Sequence, residues 1–178
     1  GLEEYRQPIE YGKAEWIYKE QDIALLAVGS MVKTAESVYA KLKEQGKNVS
    51  LLNARFVKPI DEDAVLEACE KHTLLVTLEE NVASGGYGEK VLDCLQKNGK
   101  DISLLRIAIP DAYVEHGSVD LLKKEIGLDV ASITEQILEK FFTAPDAARN
   151  FAHIARASVK SPTALNINAV LVAEPKLT

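Results

Sequence analysis

Glu79 and Glu80 stand side by side at the end of an apolar run, Thr73-Leu74-Leu75-Val76-Thr77-Leu78, and three glycines follow at Gly85, Gly86 and Gly88. Two carboxylates could act as acid and base if burial raised the pKa of one of them. Neighbouring residues at a strand end point to opposite sides of the sheet, so this pair is not expected to face one substrate. The glycines lead into a stretch, Glu89 to Lys97, with apolar residues at Val91, Leu92 and Leu95, the spacing of one helix face. A glycine turn at a helix N-terminus lets a backbone or ligand approach closely and can hold a phosphate. Here the letters argue against it. Gly85-Gly86-Tyr87-Gly88 matches neither G-x-G-x-x-G nor G-x-x-x-x-G-K-[ST]. Glu79, Glu80 and Glu89 surround it with negative charge, and no lysine stands in the loop. A structural or subunit-contact turn is the expected role.

Other groups are weaker candidates. Arg55 and Lys58 follow a strand and could bind a phosphate or an acidic partner; an ion pair with the acidic loop is the expected use. His116, beside Gly117, is expected to be solvated or hydrogen-bonded, as is usual for a lone loop histidine. His72, just past a helix, is expected to be structural, a cation acceptor at the helix C-terminus. The chain has no C-x-x-C, no H-E-x-x-H and no G-x-S-x-G, and its three histidines lie far apart. No residue is therefore assigned a catalytic, cofactor-binding or metal-binding role. Arg55, Lys58, Glu79, Glu80, Gly85, Gly86, Gly88 and His116 are candidates for contact with another domain or subunit. A polar, loop-rich edge without a complete constellation implies a module that supports a site supplied by other segments.

The elements that must position these residues follow from hydropathy. Ala14 to Tyr18 suits an edge strand, and Ile23 to Val28 is a continuous apolar run, hence a buried strand. Val32, Ala35, Val38, Tyr39 and Leu42 keep helical spacing until Gly46 closes the helix. Val49 to Asn53 is the next strand, Arg55 to Ile60 a loop, and Asp61 is placed to cap a helix carrying Ala64, Val65, Ala68 and Cys69. Thr73 to Leu78 and Ile102 to Ile107 complete five strands. Ile109 to Gly117 is a loop. Ser118 is expected to cap a helix over 119–126, and Ser132 with Glu135 to form a capping box for a helix running to Phe142. Four of the five strands precede helices, which predicts an α/β fold: three layers, α/β/α, around a five-stranded mostly parallel sheet with one antiparallel edge strand. The short link between the first two strands predicts that those two are the antiparallel pair.

Composition narrows the classes. A net charge of −6 disfavours nucleic acid or an anionic membrane as partner. No apolar run reaches the ~18 residues of a membrane span. The start, Gly1-Leu2-Glu3-Glu4-Tyr5-Arg6, lacks signal-peptide character and an initiating Met, and reads as an excised or processed piece. Cys69 and Cys94 both fall in predicted helices and are expected to be free thiols in a reducing cytoplasm. Charge changes sign near Thr143-Ala144-Pro145-Asp146. Residues 143–178 carry four basic and two acidic side chains, against an acidic excess before them.

Three runs carry a family resemblance: Ala54-Arg55-Phe56-Val57-Lys58-Pro59-Ile60-Asp61, Glu79-Glu80-Asn81 through Gly85-Gly86-Tyr87-Gly88, and Ile109-Pro110-Asp111 through Glu115-His116-Gly117-Ser118. Their order and spacing resemble the C-terminal domain, of transketolase C-terminal type, of 1-deoxy-D-xylulose-5-phosphate synthases, from about Gln7-Pro8-Ile9 to Phe141. The glycine segment alone would also fit transketolases or 2-oxo acid dehydrogenase β subunits. The resemblance implies a transferase that condenses pyruvate with glyceraldehyde 3-phosphate for isoprenoid precursors, using thiamine diphosphate and Mg2+. Those ligands would lie on N-terminal and central domains, which become the expected partners, with a homodimer as the full assembly. The C-terminal domain itself would pack and contribute to the dimer without binding the cofactor. On this reading residues 1–142 are the transketolase C-terminal-like domain. Residues 143–178 are a tail of unknown origin, either disordered or holding a short helix (Phe151, Ile154, Ala155, Val159) and a strand at Ala169 to Val172. The residues by themselves also leave open a free-standing module that binds a small anionic metabolite.

Overall fold

The computed structural model describes residues 8–143. The expected helix and strand of the tail lie outside the described residues. In chain order the elements are β1 (Glu15–Tyr18), β2 (Asp22–Ala27), α1 (Met31–Glu44), β3 (Val49–Asn53), α2 (Glu62–Lys71), β4 (His72–Val82), α3 (Tyr87–Lys97), β5 (Ser103–Ile109), α4 (Val119–Glu125) and α5 (Val130–Thr143). The five strands form one sheet in the order β1-β3-β2-β4-β5. All pairs are parallel except β1 with β3. Helices cover both faces, as the alternation of strands and helices requires.

Each face has its own core. Ile23, Leu25, Leu51, Leu74, Val76 and Leu78 pack under α1 and α5 through Val38, Leu42, Ile133, Ile137 and Phe141. Ala24, Leu26, Leu52 and Leu75 pack under α2 and α3 through Val65, Ala68, Tyr87, Val91 and Leu95. Central β2 contributes side chains to both cores, which is why it lacks alternation in the sequence.

Tertiary structure changes several local expectations. β1 is the antiparallel edge strand, but its partner is β3, not β2. Both edges of β2 are taken by β3 and β4, so β1 can add only to the free edge of β3. The link of three residues crosses the start of β3, a gap of two strand spacings, ~9.6 Å, within reach of a short extended chain. Glu20 fastens the crossing: its N–H donates to Ser50 Oγ at 2.7 Å, and its Oε2 accepts from Val49 N–H at 3.2 Å. β4 runs past Leu78 to Val82, so the carboxylate pair belongs to the strand. Leu92 is exposed, and the buried face of α3 is instead Tyr87, Val91, Cys94 and Leu95. Ser118 makes no side-chain cap. Ser132 does not start α5; the helix begins at Val130, and Asp129 Oδ1 accepts from Ala131 N–H at 3.0 Å and Ser132 N–H at 3.3 Å. Asp61 caps α2 as expected, accepting from Ala64 N–H at 3.3 Å.

His72 is structural for a reason different from the expected one. It is buried, with Trp16 stacked on it at 6.0 Å. Its Nδ1 lies 2.7 Å from Ala68 O and its Nε2 2.8 Å from Ser50 Oγ. Burial pushes its pKa down, so it serves as a neutral link between α2 and β3 and not as a cation at the helix end. Cys69 is half-buried, Cys94 is buried, and both are free.

Candidate functional site

The carboxyl edge of the sheet collects the loops that the sequence singled out. β2 connects toward β3 and β4 toward β5, in opposite directions, so the crevice between β2 and β4 is the topological switch point where open α/β sheets usually bind ligands. Ser30 stands just past β2, at the N-cap of α1, and Glu79 and Glu80 lie within β4.

The register of β4 with β5 slips between Leu78 and Val82, so that Glu79, Glu80 and Asn81 face Ala108 alone. Such a bulge re-aims side chains. Glu79 turns under α3 and is buried. Its Oε2 accepts from Tyr87 N–H at 2.7 Å and its Oε1 from Gly88 N–H at 2.8 Å. These are amides at the start of α3, where a helix lacks internal acceptors and its dipole favours negative charge. The anion expected at such a terminus is thus the protein's own carboxylate. Its closeness explains two glycines. A Cβ on Gly86 would lie 2.7 Å from Glu79 Cδ, and one on Gly88 would lie 2.7 Å from Thr77 Oγ1 and 3.0 Å from Arg106 Cδ. Gly85 has φ +74°, the left-handed region, and its N–H donates to Glu89. Thr77 Oγ1 is buried with no hydrogen-bond partner.

Glu80 points the other way. It accepts from Ser30 Oγ and pairs with Lys123 Nζ of α4 at 3.1 Å. The Ser30 hydroxyl and then the Lys123 ammonium hold its carboxyl below the usual carboxylate range. A bridge from the β2–α1 turn through β4 to α4 therefore spans the switch-point crevice. Neither Ser30 nor Lys123 was singled out in the sequence: Ser30 looked only like a strand end, and Lys123 is one of several lysines on a short helix.

Arg55 does not pair with the acidic loop. It is half-buried at φ +57°, and its Nη2 meets Glu15 Oε2 of β1 at 2.5 Å. The β1 pairing decides this, because it places Glu15 opposite Asn53. Lys58 and His116 are exposed. Of the contact candidates, Glu79, Gly86 and Gly88 are buried and serve the turn, whereas Lys58, Glu80, Gly85 and His116 lie at the surface. Exposed large apolar side chains gather at the same edge: Ile9, Tyr11 and Val57 around the loop after β3, and Val82, Tyr113, Val119 and Leu121 around α4.

The family description "Transketolase, C-terminal domain" matches residues 12–133. The chain belongs to the transketolase C-terminal domain family. It is 46% identical over 138 residues to the 1-deoxy-D-xylulose-5-phosphate synthase of Lachnoclostridium phytofermentans, covering 77% of this chain and 22% of that protein. With the synthase of Thermosynechococcus vestitus it shares 40% identity over 140 residues, 79% of this chain and 22% of the relative. The chain thus spans about a fifth of the length of these curated relatives, and the resemblance drawn from the three motif runs holds over most of it. A split-gene transketolase, solved as an inactive beta4 tetramer, shares the fold with a TM-score of 0.70 at 21% identity, covering 75% of this chain and 43% of that one.

The transketolase C-terminal edge does not fit thiamine diphosphate and Mg2+. A diphosphate needs several free amides or cations, but Glu79 takes the first amides of α3, Arg55 pairs with Glu15 and Lys123 with Glu80, which leaves Lys58 as the one exposed cation among these candidates. Magnesium needs converging oxygen ligands, and among the described residues no group of three or more His, Cys, Asp or Glu converges. No chemical step is assigned to that cofactor on these residues.

Proposed function

We propose that this domain is the C-terminal packing and dimer-contact part of a thiamine-diphosphate-dependent 1-deoxy-D-xylulose-5-phosphate synthase, inactive by itself. The complete cytoplasmic homodimer would join pyruvate to glyceraldehyde 3-phosphate with loss of CO2, toward isoprenoid precursors. Thiamine diphosphate and Mg2+ would sit on the N-terminal and central domains. The observation that carries this reading is the internal satisfaction of the carboxyl edge. The first α3 amides are taken by Glu79, and the Ser30–Glu80–Lys123 bridge spans the switch-point crevice, the two places where an open α/β sheet commonly holds an anion. Synthase relatives at 40–46% identity supply the reaction class. The same occupancy disfavours the free-standing anion-binding module, and the motif runs outside the glycine segment disfavour a 2-oxo acid dehydrogenase fragment.

Complementation tests it. The purified chain should turn over no pyruvate with glyceraldehyde 3-phosphate, thiamine diphosphate and Mg2+. Mixed with the separately produced preceding portion of the Lachnoclostridium synthase, it should bind that portion and raise its activity. Unaided turnover by the chain, or no association at micromolar concentration, would refute the proposal.

A further inference from the structure

Helix α4 has seven residues, Val119 to Glu125, and none of them is buried. An isolated helix needs ~12–15 residues to be even marginal in water, so one this short depends on packing. Its own fold supplies little. Val119 is 62% exposed and Leu121 67%, with Tyr113 at 91% on the preceding loop. Among the described residues, Lys123–Glu80 is the one ion pair that ties it to the sheet. Between α4 and the ends of β4 and β5 lies an open apolar cleft of about 260 Å3, lined by Ile109, Val114, Val119, Leu122, Ile126 and Leu128. Its polar lining, Glu80 and Lys123, is already paired within itself, leaving few groups to orient a small ligand. Such a cleft is suited to an aliphatic side chain from a protein surface.

We infer that α4 and this cleft are the docking point for the polypeptide that precedes the domain in the complete synthase, an inference that rests on the function proposed above. Two observations select that occupant. About four-fifths of the Lachnoclostridium relative lies outside the matched segment, so a large covalently linked surface is available to cover α4. Acidic side chains dominate the loop before α4 and its first turn, where Asp111, Glu115 and Asp120 are exposed, while Lys123 and Lys124 stand in its last turn, Lys123 paired with Glu80. The surface that seats here carries an aliphatic knob flanked by Lys or Arg, meeting apolar with apolar and basic with acidic.

The test uses the whole 178-residue chain with the preceding portion of the Lachnoclostridium synthase supplied in trans. Association is read by titration calorimetry and the fold of each variant by circular dichroism and thermal melting. Leu121→Glu and Val119→Glu change exposed side chains and should leave the melting temperature in place. Each would put a charged group where the aliphatic knob seats, at a desolvation cost, and weaken association at least ~10-fold. Leu92→Glu, a control at a less exposed apolar site on α3, far from the cleft, should bind as the parent does. The parent's association should also weaken as salt rises. If the parent binds and the α4 variants bind equally well, the inference is wrong while the function proposed above stands. If the parent does not bind, both fail. If the chain instead forms its own dimer that Leu121→Glu dissociates, the occupant is a second copy and the inference is likewise overturned.

Discussion

Gly86 and Glu79 offer a quantitative test of how the glycine turn works. Gly86 has φ −78° and ψ −174°, an extended conformation open to any residue, so its backbone gives no reason for glycine. The reason is contact: an added Cβ would press on the carboxylate of Glu79, 2.7 Å from its Cδ. Gly86→Ala should therefore cost about 1–3 kcal/mol, the range for overpacking a filled interior. Glu79→Ala removes an acceptor shared by two buried amides. Each hydrogen bond to a charged group contributes about 1.5–3 kcal/mol, and water entering the space recovers part of it, so a loss of about 3 kcal/mol is expected. In the double variant the clash has no target, and the stability should match that of Glu79→Ala alone. The cycle then has a coupling of about 1–3 kcal/mol. Urea unfolding followed through Trp16, the single tryptophan of the chain, measures all four proteins. Additivity within ~0.5 kcal/mol would refute the claim that Gly86 is glycine because of Glu79.

Two further outcomes follow from buried polar groups. Thr77→Val should stabilise the chain by about 1 kcal/mol in the same urea assay, because it replaces a buried hydroxyl that has no partner with a methyl of similar size. A loss of stability would mean that the hydroxyl is satisfied in solution. His72 should make stability fall with acid: burial lowers its folded pKa, so the unfolded chain, near the ordinary ~6.5, takes up the proton first. That contribution is whole above about pH 6.5 and is lost as pH drops toward the folded pKa, at up to about 1.4 kcal/mol per pH unit. His72→Gln should flatten the profile below about pH 6.5, and an unchanged slope would contradict the assignment.

Much of this architecture was legible in the residues because it depends on neighbours in sequence. An unbroken apolar run marked β2, and short β-branched and aliphatic runs marked β3 and the first part of β4. Helical spacing and Gly46 marked α1, Asp61 marked the start of α2, and the three motif runs carried the family. Glycine at 86 and 88 told of a close approach, since only a missing Cβ permits one. What approaches was not readable: the bulge that turns Glu79 inward arises from how β4 pairs with β5. Strand pairing likewise overruled local inference at β1, where a short link looked like a hairpin until β3 was seen to lie between. It also handed Arg55 to Glu15 in place of the acidic loop. Hydropathy period and cap chemistry are set within a few residues and survive any tertiary arrangement. Which strand finds which edge, and which carboxylate reaches a helix terminus first, is decided only when segments far apart in the chain compete for the same free hydrogen-bonding groups.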